Sequence, residues 1–136
     1  MLTIHTDGGS RGNPGKAGIG VVIEKDDGNK EQIYKYIGMT TNNIAEYTAL
    51  KEALMRAEEL GEKHVSVIMD SELVVKQIKG EYRVKNEGLK PLYKDIKNII
   101  REFDYFEIRH VMRKDNKEAD KLANKAMDEE CDSSGL

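Results

Sequence analysis

The sequence contains one cysteine, two prolines, no tryptophan and only eight tyrosine and phenylalanine residues in 136. A single cysteine, Cys131, cannot form an intramolecular disulfide, which is typical of proteins from a reducing compartment. The same shortage excludes zinc sites built from several cysteines. We therefore expect a protein of the cytoplasm that folds without disulfides.

Long apolar runs are also missing, and none approaches the length of a transmembrane helix. The first residues contain neither the basic segment nor the apolar segment of a signal peptide, so none is predicted. A chain of this length fits one domain. We predict a domain over residues 1–128 and a flexible C-terminal tail over residues 129–136, with no membrane partner.

The net charge is only −3, although 35% of the residues are charged. This value argues against a protein that binds nucleic acid through its overall charge. The basic residues are unevenly distributed, and from Lys76 to Lys94 six of them accompany two acids, a local balance of +4. This positive stretch is either a solvated helix face or a surface for phosphates.

The pattern of apolar residues predicts an α/β fold in which one mixed sheet is covered by helices. The glycine-rich segment Gly8–Gly15 predicts a turn between the first two strands. The predicted elements, in chain order, are strands over Leu2–Asp7, Ala17–Glu24 and Glu31–Met39, a helix over Thr41–Leu60, a strand over His64–Met69, helices over Ser71–Lys79 and Gly88–Phe103, a strand over Tyr105–Met112 and a helix over Asn116–Glu129.

Four carboxylates occupy positions where packing favours other residues. Asp7 and Asp70 follow apolar strand segments, and Glu46 and Asp120 begin apolar helix faces. Taken singly, each has an ordinary explanation, since aspartate caps turns and acids favour helix N-termini. Together they offer an all-oxygen ligand set, which favours Mg²⁺, with Mn²⁺ as an alternative. The three histidines are interpreted as ordinary strand residues, namely His5, His64 and His110.

These residues and their neighbours resemble type 1 ribonuclease H. The similarity extends from Leu2 to about Met127 and rests on four motifs in the family's order. These are Thr6-Asp7-Gly8-Gly9-Ser10-Arg11-Gly12-Asn13-Pro14-Gly15, Thr40-Thr41-Asn42-Asn43-Ile44-Ala45-Glu46, Met69-Asp70-Ser71 and Asn116-Lys117-Glu118-Ala119-Asp120-Lys121-Leu122-Ala123.

The resemblance implies a ribonuclease H-like fold, with a five-stranded mixed sheet and helices packed on both faces. It implies an endonuclease that cuts the RNA strand of an RNA–DNA hybrid and leaves 5′-phosphate and 3′-hydroxyl ends. The four carboxylates Asp7, Glu46, Asp70 and Asp120 would be the catalytic residues and would hold two metal ions. One ion activates the attacking water and the other stabilises the leaving oxygen. A small-molecule cofactor is not expected, and we predict a monomer.

The resemblance also implies residues that contact the substrate. The glycine-rich segment and the start of the first helix match the parts of the family that touch the minor groove, where RNA displays its 2′-hydroxyls. Thr41 and Asn86 match positions that hold a phosphate of the DNA strand. The predicted substrate contacts are Gly8, Gly9, Ser10, Asn13, Thr41, Asn42, Asn43, Lys85, Asn86 and Arg113.

Three features depart from the family pattern. Met39 occupies a position where the phosphate pocket often includes an arginine, which predicts a weaker pocket. The segment from Gly80 to Glu87 is too short for the lysine-rich helical protrusion of some members. The loop before the last helix reads Arg113-Lys114-Asp115-Asn116 and lacks the mobile histidine of many bacterial members, while His110 falls inside the predicted strand.

Three other functions remain open at this stage. A nucleotide-binding module is disfavoured because Gly15-Lys16 is followed by Ala17 and not by serine or threonine, so no P-loop is formed. A metal nuclease for other nucleic acids, such as a Holliday-junction resolvase, shares the fold but not the full motif set. A silent hybrid-binding protein would not need all four acids.

Overall fold

The computed structural model describes residues 1–133 as five strands and four α-helices. A mixed sheet has the strand order β3-β2-β1-β4-β5, in which β1 is antiparallel to β2 and parallel to β4. The predicted α/β class and five-stranded mixed sheet are thus confirmed. The elements are β1 (Leu2–Gly12), β2 (Gly15–Glu24), β3 (Lys30–Thr40), α1 (Asn42–Glu59), β4 (His64–Met69), α2 (Glu72–Ile78), α3 (Lys90–Ile100), β5 (Tyr105–His110) and α4 (Lys117–Glu129).

Helices cover both faces of the sheet, as predicted. The face that carries Leu2 and Ile4 packs against α1, α2 and α3 and forms the larger core. The opposite face packs against α4, where Val22 contacts Ala119 and Leu122. Within residues 1–133, no helix is long and apolar enough to span a membrane.

The predicted turn over Gly8–Gly15 is wrong. Strand β1 continues to Gly12 and β2 begins at Gly15, so only residues 13 and 14 reverse the chain. Glycine-rich segments favour turns when considered locally. Here Gly8, Gly9 and Ser10 pair with β2 residues, and this pairing extends the strand. Asp7 therefore lies within a strand and not at its end.

Other predicted boundaries differ by a few residues. Helix α3 is shorter than predicted because it begins only at Lys90, one residue before Pro91, and ends at Ile100. Strand β5 ends at His110, two residues earlier than expected. Thr41 and Ser71, with which two predicted helices begin, are the N-caps of α1 and α2, because their hydroxyls accept hydrogen bonds from the backbone N–H groups of Ile44 and Val74.

The predicted C-terminal tail lies partly outside the described residues, since 134–136 are not described. The residues before them contact the edge of the sheet. The N–H of Tyr36 donates to the carbonyl of Cys131 at 3.2 Å, and the N–H of Ser133 donates to the carbonyl of Tyr34 at 2.7 Å. The described part of the tail is therefore hydrogen-bonded to β3.

Gly20 allows α4 to approach β2 closely. A Cβ at this position would lie 2.2 Å from the carbonyl oxygen of Ala119 and 2.7 Å from the nitrogen of Ala123. Because both atoms belong to the α4 backbone, we expect Gly20→Ala to lower the free energy of unfolding by about 2–3 kcal/mol, measured by urea denaturation. Gly9→Ala is the control, since its Cβ would make only ordinary contacts, the nearest at 3.6 Å. Equal stability of the two variants would contradict this explanation.

Candidate active site

Three carboxylates that are distant in sequence meet at one end of the sheet. Asp7 comes from β1, Glu46 from the second turn of α1 and Asp70 from the residue after β4. One carboxylate oxygen from each lies within 4.8 Å of the other two. Asp7 and Glu46 are buried, and Asp70 is half-buried. This spacing suits a shared cation, because hard divalent ions are held by several carboxylate oxygens.

Gly8 fixes the distance between β1 and α1 at this point. A Cβ on Gly8 would lie 2.2 Å from the carbonyl oxygen of Ala45, so a larger residue would push the helix away. The close approach lets the N–H of Gly8 donate to Oε1 of Glu46 at 2.7 Å. This hydrogen bond holds the carboxylate of Glu46 beside Asp7.

Asp120, the fourth predicted carboxylate, lines the same cleft. The cleft has a volume of about 440 Å³, and its walls include all four acids. Asp120 lies close enough to Asp7 to contribute to the raised pKa of Asp7. On its other side, Oδ1 of Asp120 accepts a hydrogen bond from Nη2 of Arg113 at 3.1 Å. Asp120 thus lies at the edge of the three-carboxylate cluster, paired with a cation.

The crowding of acids raises the pKa of two of them. Burial raises the pKa of Asp7 to about 9, and the charges of Glu46 and Asp70 act in the same direction. Burial and the charge of Asp70 also raise the pKa of Glu46, against the opposing effect of the Gly8 hydrogen bond. Such a cluster is costly when ionised without a counter-charge. A divalent cation would supply that charge, so the residues fit a metal site.

The raised pKa of Asp7 makes the stability of the metal-free protein depend on pH. Between the pKa of the unfolded state and the higher pKa of the folded state, the carboxyl is protonated only in the folded protein. Folding then requires the uptake of a proton, so the free energy of unfolding falls as the pH rises. We expect stability to fall from about pH 4, near the ordinary pKa of aspartate, to about pH 9, and to fall less in Asp7→Asn. Thermal melts should also show a larger stabilisation by Mg²⁺ at the upper end of this range, because the ion binds the deprotonated form. An identical pH profile for both proteins would contradict this.

Half of the predicted substrate contacts line the carboxylate cleft, and these are Gly8, Gly9, Ser10, Asn42 and Arg113. The N–H of Ser10 donates to Oδ1 of Asn42 at 3.3 Å, and the N–H of Asn42 donates to Oδ1 of Asn13 at 3.1 Å. The strand β1 and the start of α1 are therefore tied together beside the carboxylates. No described residue pairs with Nδ2 of Asn42, so this donor is available.

The other predicted contacts lie outside that cleft. Thr41 caps α1 through a 3.3 Å hydrogen bond from the N–H of Ile44. Asn86 accepts from the N–H of Gly88 at 2.7 Å and holds the turn before α3. The side chains of Asn43 and Lys85 form no hydrogen bond or ion pair with any residue in 1–133. Gly88 is close to the side chain of Ile44, so the Asn86 turn adjoins the start of α1.

Two lysines of the positive stretch are already engaged in ion pairs within the protein. Lys76 pairs with Glu72 at 3.0 Å and lies over the ring of Tyr82. Lys90 pairs with Glu87 at 2.7 Å. In the described chain, no helix occupies the segment between α2 and α3, which agrees with the absence of a helical protrusion.

Sequence reasoning missed two residues that shape the site. Asn116 was interpreted only as a helix start, but its buried side chain donates from Nδ2 to the carbonyl of Thr6 at 2.9 Å. It therefore fixes the start of α4 beside Asp7. Arg11 also lines the cleft, held by an ion pair with Asp128. Its position inside the glycine motif was the only signal in the sequence.

Comparisons with known proteins agree with this arrangement. The family model described as "Reverse transcriptase-like" matches residues 5–126. Ribonuclease HI of Halobacterium salinarum is 40% identical over 126 residues, which cover 92% of this chain and 63% of that protein. The bifunctional protein Rv2228c of Mycobacterium tuberculosis is 42% identical over 129 residues, which cover 93% of this chain. The chain spans only 35% of the length of that mycobacterial protein.

Solved structures show the same similarity. RNase H1 of Halobacterium salinarum superposes with a TM-score of 0.90 at 38% identity, covering 94% of this chain and 98% of that one. LC11-RNase H1, solved in complex with an RNA/DNA hybrid, has a TM-score of 0.89 at 45% identity and covers 96% of this chain and 99% of that one. The resemblance carried by the four sequence motifs is confirmed. The chain belongs to the type 1 ribonuclease H family, whose members are hydrolases that act on nucleic acid.

Proposed function

We propose that this chain is an endonuclease that hydrolyses the RNA strand of RNA–DNA hybrids and leaves 5′-phosphate and 3′-hydroxyl ends. The observation that carries the proposal is the meeting of Asp7, Glu46 and Asp70, with oxygens within 4.8 Å, in a cleft walled by backbone and amide groups. The similarity to an RNase H1 that was solved with an RNA/DNA hybrid supports the choice of substrate.

Asp7, Glu46, Asp70 and Asp120 are proposed to hold two Mg²⁺ ions, with Mn²⁺ as a substitute. When bound, the ions supply activation of the attacking water and stabilisation of the leaving 3′ oxygen. The protein residues position the acids for this purpose. Gly8 orients Glu46, and the Asn116 side chain sets the start of the helix that carries Asp120.

The walls of the cleft are suited to reading RNA. Strand β1 presents the backbone of Gly9 and Ser10 beside Asp7, and Asn42 presents an available amide donor. A 2′-hydroxyl both donates and accepts a hydrogen bond, so such a wall distinguishes it from deoxyribose. Arg113 neutralises Asp120 in the metal-free protein and lies where a phosphate would enter the cleft.

Lys85, Asn86, Thr41, Asn43 and Asn13 are proposed to support the hybrid farther from the carboxylates. The turn that contains Asn86 adjoins the start of α1, and Asn13 accepts a hydrogen bond from the N–H of Asn42, so the three segments are neighbours. We also propose a cytoplasmic monomer that needs no small-molecule cofactor. The single cysteine and the self-contained cleft support this proposal.

One experiment tests the function directly. The purified chain is incubated with a labelled hybrid, an RNA duplex, a DNA duplex and a four-way DNA junction, with Mg²⁺ or with EDTA. We expect Mg²⁺-dependent cutting of the hybrid's RNA strand and no cutting of DNA. Cutting of the junction in preference to the hybrid would support a resolvase instead, and binding without cutting would support a silent hybrid-binding protein.

The positive stretch gives a further prediction about affinity. Removing one lysine–phosphate interaction reduces the slope of log K against log salt by about 0.7–0.9. We expect Lys85→Ala combined with Lys90→Ala to flatten this slope in hybrid binding measured with Ca²⁺ in place of Mg²⁺. Lys121→Ala, an exposed lysine on α4, is the control. An unchanged slope would assign these lysines to a solvated face.

A further inference from the structure

The two edge strands of the sheet differ in whether their outer backbone groups are hydrogen-bonded. At the β3 edge, residues Cys131 and Ser133 hydrogen-bond to the strand backbone. At the other edge, β5 pairs with β4, and no residue in 1–133 pairs with its outer side. An open strand edge offers backbone N–H and carbonyl groups to an added strand.

The direction of these groups follows from the hydrogen bonds at the two ends of β5. The N–H of Tyr105 donates to the carbonyl of Lys63, and the N–H of Val111 donates to the carbonyl of Met69. Because strand residues alternate, the odd-numbered residues between them also face β4. The N–H and carbonyl groups of Phe106 and Ile108 therefore point to the open edge.

A groove accompanies this edge. It has a volume of about 490 Å³, and its apolar wall is formed by Ile78 of α2, Ile100 of α3, and Phe106 and Ile108 of β5. It shares no lining residue with the carboxylate cleft. An added strand that hydrogen-bonds to the backbone of Phe106 and Ile108 would therefore be able to place an apolar side chain in the groove.

The rim of the groove carries Lys79 and Lys97 on its helical side and Arg109 on β5, whose side chain alternates to the sheet face opposite Phe106 and Ile108. The side chains of Lys79 and Arg109 form no hydrogen bond or ion pair with any described residue, and Lys97 donates to the carbonyl of Ile78 at 3.0 Å. The one acid in the lining, Glu107, already accepts hydrogen bonds from Ser66 and Tyr105, both at 2.7 Å. Three cations therefore accompany one carboxylate, which leaves the lining of the groove with a net positive charge.

We propose that this β5 groove binds an extended acidic segment of a partner protein, which adds to the sheet as a sixth strand. The segment hydrogen-bonds to Phe106 and Ile108, inserts an apolar side chain between α2 and α3, and places its acids near the rim. A second copy of this chain fits less well, because pairing β5 with β5 brings two basic rims together. Since the groove and the carboxylate cleft are separate, the partner and the hybrid bind at the same time.

The probe is a fluorescein-labelled heptapeptide of alternating glutamate and valine, titrated with the full chain and followed by anisotropy. We expect saturable binding that weakens with salt. The Lys97→Glu/Arg109→Glu variant should weaken it by about tenfold or more, and Lys121→Glu should leave it unchanged. Arg109→Glu alone removes no hydrogen bond and should give part of the loss. Thermal melts confirm that the variants fold.

Two further measurements test the backbone contact. In amide hydrogen exchange, the N–H groups of Phe106 and Ile108 should become protected when the peptide binds. Two peptides are compared, one methylated on its odd-numbered backbone nitrogens and the other on its even-numbered ones. Only the peptide whose methyl groups block the N–H groups that face β5 should lose affinity. Failure of the peptide to bind, or unchanged exchange at both amides, would overturn the proposal. Concentration-dependent dimerisation that protects the same amides would replace it with self-association.

Discussion

The Asp70→Asn variant should fold normally and cut hybrid more than about 100-fold more slowly than the parent protein at saturating Mg²⁺. Asparagine has nearly the shape of aspartate, so the position after β4 is not disturbed. The variant loses one charged ligand from a cluster whose oxygens lie within 4.8 Å of one another. Single-turnover cleavage of a labelled hybrid measures the effect, and hybrid binding measured separately should change little.

Stability gives the second readout of the same variant. The charge of Asp70 raises the pKa of both Asp7 and Glu46, so removing it relieves repulsion in the metal-free protein. We expect the melting temperature without metal to stay constant or rise, and the stabilisation by Mg²⁺ to shrink. Asp104→Asn, at an exposed loop position, is the control for both readouts. Cleavage near the parental rate would remove Asp70 from the metal site.

The second large effect concerns the substrate. A hybrid whose RNA strand is replaced entirely by DNA should not be cut, and single 2′-deoxy substitutions beside a mapped cut site should slow cleavage. A buried polar group left without its partner costs about 1–3 kcal/mol, which corresponds to about 5- to 150-fold in rate. Substitutions several nucleotides away should have small effects. If the fully deoxy strand were cut as fast as the RNA strand, the protein would be a general metal nuclease and not a ribonuclease H.

Asn42 allows this prediction to be assigned to a residue. Its Oδ1 accepts from the N–H of Ser10, and no described residue pairs with its Nδ2. If Nδ2 donates to a 2′-hydroxyl, then Asn42→Ala and the matching deoxy substitution remove the same contact, and their effects will not add. Asn43→Ala serves as the neighbouring comparison. Fully additive effects at every position would show that Asn42 has no role in reading the sugar.

Much of this site could be predicted from the sequence because its residues contradict local packing rules. Glu46 precedes an apolar stripe that begins at Leu50, and its side chain is buried, as a core-edge carboxylate would be. Asp70 follows a strand that ends in three apolar residues, Val67, Ile68 and Met69. The five-stranded mixed sheet and the helices on both of its faces followed from the resemblance, since local patterns alone do not determine which strands pair.

The remaining features could not be predicted because they depend on contacts between distant segments. The glycine segment was assigned to a turn, whereas pairing with β2 makes most of it strand. The role of Asn116 depends on its bond to Thr6, which lies 110 residues away in the chain. The ion pairs of Lys76 and Lys90 are local exceptions, because their partners lie four and three residues away and the sequence spacing already allows them.

The two faces of the sheet have unequal cores, and this difference determines which part of the active site is lost first on partial unfolding. The larger core lies under α1, α2 and α3, whereas α4 alone covers the other face through a small apolar cluster. Asp120 is carried by α4, while Asp7, Glu46 and Asp70 belong to the better-packed part. Detachment of α4 in a sub-global opening would therefore remove one ligand and leave the other three assembled. Heat or denaturant can then abolish activity before the sheet unfolds. Under such conditions the loss of activity measures the free energy of detaching α4 and not that of unfolding the whole domain.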